Sequence, residues 1–131
     1  ADLIVPRLYL GNLVSGRSLH WLQRRNISHV LAIGCGYDRH GQHIKYMNLS
    51  VGDTRYDNLL EHFDDTFAFI EQGRWQGTGV LVHCLAGQSR SATVVAAYLM
   101  AKGGMHHHRA LHMIRLRRPS IRPRSSFICQ L

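Results

Sequence analysis

The apolar positions fall into short runs divided by turn residues, and the runs switch between strand and helix periods. Asp2–Leu10 (DLIVPRLYL) is apolar but interrupted by Pro6. Proline cannot donate within a central ladder, so this stretch predicts an edge hairpin or a pair of short strands, followed by a turn at Gly11-Asn12. Ser18–Arg25 predicts a helix capped by Ser18, buried through Leu19 and Leu22, and ended by Asn26. His29–Gly34 is a β-branched run that predicts a buried strand, with a loop starting over 34–38. Ile44–Leu49 alternates apolar and polar residues and predicts a second strand. The polar loop Val51–Asp57 carries two carboxylates, and Asn58 is the expected cap of a helix from Leu59 to about Arg74, with Leu59, Leu60, Phe63, Phe67 and Ile70 as its apolar face.

The second half repeats the alternation. Gly77-Thr78-Gly79 breaks the chain, Val80–His83 predicts a third strong strand, and Arg90–Ala101 predicts a helix of small and apolar residues buried on most sides, ended at Gly103-Gly104. His106–Arg117 predicts another helix, with Ala110, Leu111, Met113 and Ile114 available for burial and Pro119 as its stop. A last helical turn or two follows Pro123, with Phe127, Ile128 and Leu131 facing the core. Strands alternating with helices predict an α/β sheet covered on both faces.

Composition narrows the class. At 131 residues the chain is expected to be one domain, 1–131, long enough to bury a core, and 45% of it is hydrophobic. No apolar run approaches the roughly 18 residues that cross a bilayer, and the secretory pattern is missing at the N-terminus. Three widely spaced cysteines, Cys35, Cys84 and Cys129, argue against a disulfide framework and for a reducing compartment, cytoplasmic or nuclear. The net charge of +8 would steer any anionic partner. Its densest part, Arg109–Arg124, has no interleaved aromatics and no nucleic-acid module, so dedicated nucleic-acid binding is not expected. No cofactor is expected, and no paired Cys or His spacing suggests zinc. Consecutive residues on a regular helix point in different directions, so His106-His107-His108 reads as a solvated helix start rather than an ion site.

The candidate chemistry lies in Leu81–Ser91 (LVHCLAGQSRS), a strand feeding a helix through a short loop. Such a loop aims backbone N–H groups at one point beside a helix N-terminus, which makes an anion site. Gly87 lets the backbone approach closely, and Arg90 can hold two phosphate oxygens bidentately. The same positive surroundings favour a nucleophilic thiolate at Cys84, able to displace an ester oxygen and form a phosphocysteine, while the loop donors stabilise the transferring phosphoryl charge. The leaving group needs a proton. Asp53 lies in a loop after a strand, on the edge where sheets bind ligands, with Asp57 as second choice. The Ser91 hydroxyl is placed to donate to the Cys84 sulfur, and His83 to anchor the loop. A buried cysteine is more often an inert small hydrophobe; the joint occurrence of Cys, Gly, Ser and Arg in strand–loop–helix context favours the catalytic reading.

HCLAGQSRS resembles the signature of the cysteine-dependent protein phosphatases, His-Cys, five residues, Arg and Ser/Thr, and VLVHCLAGQSRSATVVAAYLM is very similar to its dual-specificity form. LYLGN, ISHVLAIG, the Asp53 loop, FAFIE, RRPSI and the terminal QL fall in that family's order. The resemblance implies a three-layer protein tyrosine phosphatase-like fold, a central mostly parallel sheet flanked by helices on both faces. It implies Cys84 as nucleophile, Arg90 as phosphate clamp, Asp53 as general acid, Ser91 as helper of thiolate departure and Leu85, Ala86, Gly87, Gln88 and Ser89 as the N–H cradle, with no metal. The substrate it implies is a phosphoprotein bearing phosphotyrosine or phosphoserine/phosphothreonine. Phosphoinositide or RNA 5′-triphosphate hydrolysis on the same scaffold, and a phosphate-binding pseudoenzyme, are the alternatives. Superfamily members that protect the nucleophile by a reversible disulfide suggest Cys35 as a possible redox partner. Two positions depart from the pattern: Arg124 stands where asparagine is usual, and Gln88 where an apolar residue is common.

Overall fold

The computed structural model describes residues 1–36 and 43–131. The expected loop at 34–38 lies in part, from Tyr37, outside the described residues. Strands β1 (Asp2–Val5) and β2 (Leu8–Gly11) form the N-terminal hairpin, with Pro6 in the turn and Arg7 left-handed at φ 65°. Helices α1 (Leu13–Arg17) and α2 (Leu19–Arg24) follow, then β3 (Ile27–Ile33) and β4 (Lys45–Leu49). A 3₁₀ turn (Leu60–His62) opens α3 (Phe63–Trp75), which leads to β5 (Gly79–His83), α4 (Arg90–Gly103), α5 (His107–Arg117) and α6 (Ser125–Gln130).

The sheet order is β1-β2-β5-β3-β4, antiparallel only at the β1–β2 edge. Side chains alternate across it as the strand period requires. Leu31, Ile33, Val80 and Val82 face the larger core, which Val94, Val95, Ile114 and Phe127 complete from the helices. Val30 and Leu81 face a smaller core closed by Leu22 of α2. Helices α1 and α2 thus cover one face and α3 to α6 the other, the three-layer α/β arrangement expected from the sequence.

The α4 segment is buried throughout its first half, Arg90 to Ala96, as its small and apolar composition predicts. Gly104 ends it in the left-handed region at φ 63°. Side chains tie α3 to α4: the buried Tyr98 hydroxyl donates to Glu71 Oε1 at 2.8 Å and accepts from Arg74 Nη1 at 2.7 Å.

Local details differ from the periodicity in instructive ways. Asn12 does not simply turn the chain; its Oδ1 accepts from Ser15 N at 3.2 Å and caps α1, too short to register as a period. Ser18 precedes α2 but makes no side-chain cap bond. Asn58 does not cap an α-helix: its Oδ1 accepts from Glu61 N at 3.4 Å one residue ahead of the cap, Leu59, of the 3₁₀ turn. Leu60 on that turn is exposed, and Phe69 takes up the burial it was expected to supply.

Parallel register brings the C-terminal ends of β2, β5 and β3 level, with Gly11 opposite His83 and His83 opposite Ala32, and Ile33 opposite Leu49 on β4. The segments that follow these strands therefore leave from one edge of the sheet, where α/β folds bind ligands.

His29 in β3 gives the fold a pH dependence. It is buried, with Nε2 3.1 Å from Gln72 Oε1 and Nδ1 2.6 Å from Ser28 Oγ. Burial first, with Lys45 nearby, lowers its pKa below the usual histidine value, against the Gln72 bond, which raises it. A depressed pKa means that the folded state takes up a proton later than the unfolded chain. The associated stability is complete above about pH 6.5 and is lost as the pH falls below it. Thermal melts are expected to give a lower Tm at pH 5.5 than at pH 7.5, and His29→Gln is expected to narrow that difference.

Candidate active site

At the centre of the strand-end edge, β5 runs into the loop Cys84–Ser89 and then into α4. The carbonyls of Leu85 to Ser89 each have a donor outside the loop. Leu85 O accepts from Leu13 N (3.2 Å), Gln88 O from Arg122 N (2.7 Å) and Ser89 O from Thr93 N (2.9 Å). Arg118 covers the remaining two, donating through Nε to Gly87 O at 2.9 Å and through Nη2 to Ala86 O at 3.3 Å. Each trans peptide points its N–H opposite its C=O, so with the carbonyls of Leu85 to Gln88 bonded away, the N–H groups of Ala86 to Ser89 point toward the interior of the loop. Among the described residues none of them has a protein acceptor. Consecutive N–H groups converging beside a helix N-terminus form an anion nest. Gly87 allows the bend: its φ is +69°, and a Cβ there would lie 2.5 Å from Gly11 O and 2.6 Å from Arg118 Nη2.

Cys84 lies at the base of this loop, 2% exposed, its Sγ 3.1 Å from Ser91 Oγ in the first turn of α4. Arg90 starts that helix and is itself buried. Its Nη1 donates to Val51 O at 3.0 Å, and its Nε is buried with no partner among the described residues. A buried guanidinium short of an acceptor is uncommon in a folded interior and marks a place for an anion. The path of the side chain depends on Gly34 at the end of β3, where an added Cβ would lie 1.8 Å from Arg90 Nη1 and 2.4 Å from Val51 O.

Asp53, in the loop after β4, reaches the same mouth. Its Oδ1 accepts from Ser89 Oγ at 3.0 Å and from Arg124 Nε at 3.2 Å. Ser89 occupies the N-cap position of α4 but makes no cap bond; its hydroxyl serves Asp53 and accepts from Arg124 N at 3.1 Å. Asp57, the second acid candidate, is turned into its own loop. It accepts from Gly52 N (3.0 Å), Thr54 N (3.0 Å) and Thr54 Oγ1 (2.6 Å). The Thr54 hydroxyl, followed by the backbone donors, holds its carboxyl below the usual range. Its role is to shape the loop that presents Asp53.

His83 precedes Cys84, its ring packed on Gly16 of α1, where a Cβ would fall 2.3 Å from Nε2. Burial pushes its pKa down, opposed by a bond to the Cys84 backbone. Cys35 follows β3, its Sγ 3.6 Å from His83 Nδ1. Burial first, then the neighbouring Cys84, pushes its thiol up, while Arg90 acts the other way. Leu85 and Gln88 are exposed at the rim. Cys84, Arg90, Asp53, Ser91 and the 85–89 loop thus converge on one mouth, with His83 and Cys35 beside its base.

Sequence reasoning missed Arg118, which it left in a diffuse basic run, and α1, whose first N–H holds the loop. Neither carries a local signal, because each acts by reaching a carbonyl far away in the chain. The structure also corrects the placement of His106-His107-His108 on one regular helix. His106 stands in the extended N-cap position, outside α5, so the triplet is not on one regular helix, and its ring nitrogens lie within 4.8 Å of one another. The cluster is at the start of α5, whereas Arg118, which grips the loop, lies just past the other end of that helix.

The family model described as dual specificity phosphatase, catalytic domain, matches residues 8–131. The chain is 40% identical over 128 residues to dual specificity protein phosphatase 22-B of Danio rerio, covering 98% of this chain and 70% of that protein. It is 38% identical over 128 residues to dual specificity protein phosphatase 22 of Xenopus tropicalis, covering 98% of this chain and 61% of the relative. The chain therefore spans less than two thirds of the second protein's length. Among solved structures, the human tyrosine phosphatase-like serine/threonine/tyrosine-interacting protein superposes with a TM-score of 0.94 at 33% identity, over 98% of this chain and 91% of that one.

Gly34 and Gly36 offer a matched test of the Arg90 seat, since both have φ +73° but a Cβ at Gly36 meets nothing within 4 Å. Backbone strain is common to the two substitutions; the collision with Arg90 belongs to Gly34 alone. Gly34→Ala is expected to weaken inorganic phosphate or vanadate binding, measured by calorimetry, by about 100-fold, the scale of an ångström's misplacement. Gly36→Ala is expected to bind far closer to wild type.

Proposed function

The chain belongs to the dual specificity phosphatase family, and from that premise we propose that it hydrolyses phosphotyrosine and phosphoserine/phosphothreonine on protein substrates through a phosphocysteine intermediate. The observation that supports this reading is the loop that follows Cys84, whose carbonyls from Leu85 to Ser89 are taken by donors outside it while its own N–H groups have no protein acceptor among the described residues. A phosphate dianion seated there accepts from the N–H groups of Leu85 to Ser89 and from the Arg90 guanidinium. Cys84 Sγ attacks phosphorus; a P–S bond forms as the P–O ester bond breaks, and Asp53 gives its proton to the departing oxygen. The N–H groups and Arg90 stabilise the charge on the equatorial oxygens as it spreads. In the second step a water loses its proton to the Asp53 carboxylate and attacks phosphorus. The P–S bond breaks, and the Ser91 hydroxyl, 3.1 Å away, donates to the leaving thiolate. Every group in this scheme is a protein side chain or backbone N–H, so it calls for no metal.

Asp53 is preferred to Asp57 because the Asp57 carboxyl is occupied by three donors within its own loop. The intact Cys84, Arg90 and Asp53 favour turnover over phosphate binding alone, a distinction the backbone cannot make: a neighbour of TM-score 0.94 is described as phosphatase-like. Residues 1–131 act as one catalytic domain in this reading. Among the described residues no helix is long and apolar enough to cross a membrane. Cys35 is the proposed protecting partner of the nucleophile: peroxide converts Cys84 to a sulfenic acid, which condenses with the Cys35 thiol and loses water.

Cys84→Ser is expected to abolish turnover of an aryl phosphate while phosphate binding survives; undiminished turnover would sink the mechanism. Asp53→Asn is expected to lower turnover of poor leaving groups by about 100-fold or more, with little effect on strongly activated aryl phosphates. A panel of phosphotyrosine and phosphothreonine peptides, a phosphoinositide and a 5′-triphosphorylated RNA separates the protein reading from the alternatives, with Cys84→Ser as control. Mild peroxide followed by mass spectrometry is expected to yield a linked Cys35–Cys84 peptide.

A further inference from the structure

The general acid needs more than a loop of the right shape; it needs a fixed distance from the nucleophile. Asp57 shapes the Asp53 loop from within but does not tie it to the phosphate loop. That tie is made by two donors on a single oxygen, Ser89 Oγ at 3.0 Å and Arg124 Nε at 3.2 Å, both on Oδ1 of Asp53. Among the described residues no other group bonds this carboxyl, so Oδ2 is left without a protein partner.

We propose that Arg124 is a positioning residue for the general acid: with Ser89 it holds Oδ1 of Asp53, so that Oδ2 carries the proton to the leaving oxygen. This rests on Asp53 being the acid, and it deepens that assignment by naming what aims it. Asparagine, usual here in the resembled pattern, carries no charge and ends its donor one atom short of the arginine Nε that makes the contact.

The backbone of Arg124 is fixed on both sides. Its N–H donates to Ser89 Oγ at 3.1 Å, and its carbonyl accepts from Phe127 N at 2.9 Å and Ile128 N at 3.1 Å as the cap of α6, whose Phe127 is buried in the core. Ser89 is fixed in turn by Thr93, which donates to its carbonyl. Asp53, Ser89 and Arg124 form a closed ring joining the acid loop, the phosphate loop and the C-terminal segment.

The charge matters at one moment. When the proton leaves Oδ2 with the ester oxygen, the carboxyl becomes a carboxylate beside a guanidinium that is already in place. The interaction strengthens as the transition state is approached, which is the condition for accelerating a step rather than only binding to it. The pair is 43% and 39% exposed, and exposed ion pairs add little to stability, so removing the arginine side chain is expected to leave the fold intact.

The test is Arg124→Asn in the wild-type and Asp53→Asn backgrounds, read as kcat/KM over phosphate esters whose leaving groups run from strongly acidic phenols to alkyl alcohols. Arg124→Asn is expected to cost about tenfold for the poor leaving groups and almost nothing for the most activated one, and to cost nothing further once Asp53 is asparagine. A uniform loss across all leaving groups, or an equal loss in the Asp53→Asn background, overturns the proposal. If Asp53→Asn is selective for poor leaving groups and Arg124→Asn is not, the acid assignment stands and the role given to Arg124 falls. If Asp53→Asn is itself unselective, the acid assignment fails and the proposal falls with it.

Discussion

A loop that points consecutive N–H groups at an anion must turn its carbonyls the other way, and carbonyls turned into a protein need donors. That obligation organises the surroundings of Cys84. The start of α1 supplies Leu13 N, α4 supplies Thr93 N, the chain after α5 supplies the Arg118 side chain, and the approach to α6 supplies Arg122 N. Elements that carry no chemistry of their own are held around the loop because each satisfies one of its carbonyls. Arg118 extends the scheme to the sheet edge, since its Nη1 also pairs with Asp2 of β1 at 2.9 Å.

The basic segment near the C-terminus divides its work accordingly. Arg118 grips the loop from outside by its side chain, Arg122 does so by its backbone, and Arg124 crosses to Asp53. A net charge of +8 thus has local content beyond a general field for anions. Gln130, near the end of the chain, adds a last tie: its Oε1 accepts from Leu59 N at 2.8 Å and Leu60 N at 3.1 Å, and its Nε2 donates to Asp57 O at 3.1 Å. The loop that carries Asp53 is therefore tied to the C-terminal segment at Asp53 and at Asp57.

Places where local rules are set aside coincide with the site. Ser89 stands where a helix cap is expected and gives its hydroxyl to Asp53 instead. Arg90 is buried with an unpaired Nε, and Gly87 adopts a backbone angle that costs other residues strain. Elsewhere the strand and helix alternation agrees with the pattern, and the departures, at Ser18, Asn58, Leu60 and His106, are confined to element ends.

Legible in the chain alone were the strand and helix alternation, the strand–loop–helix around Cys84 and the burial of the first half of α4. All of these are written in periodicity and in motifs a few residues long, where near neighbours fix the geometry. Other features were decided only by the tertiary structure. They include the α1 cap at Asn12, the 3₁₀ opening before α3, the displacement of His106 from its helix, and the tasks of Gly34, Arg118 and Arg124. The placements of Gly34, Arg118 and Arg124 each depend on an atom tens of residues away, whether the Arg90 guanidinium, a carbonyl of the loop or the Asp53 carboxyl, while the Asn12 cap, the 3₁₀ turn and the His106 position are local but too short to register as a period. An arginine in a basic run has the same local pattern whether it faces solvent or clamps a backbone. What distinguishes the two is the level register of the parallel strands, which brings distant chain segments to one edge of the sheet.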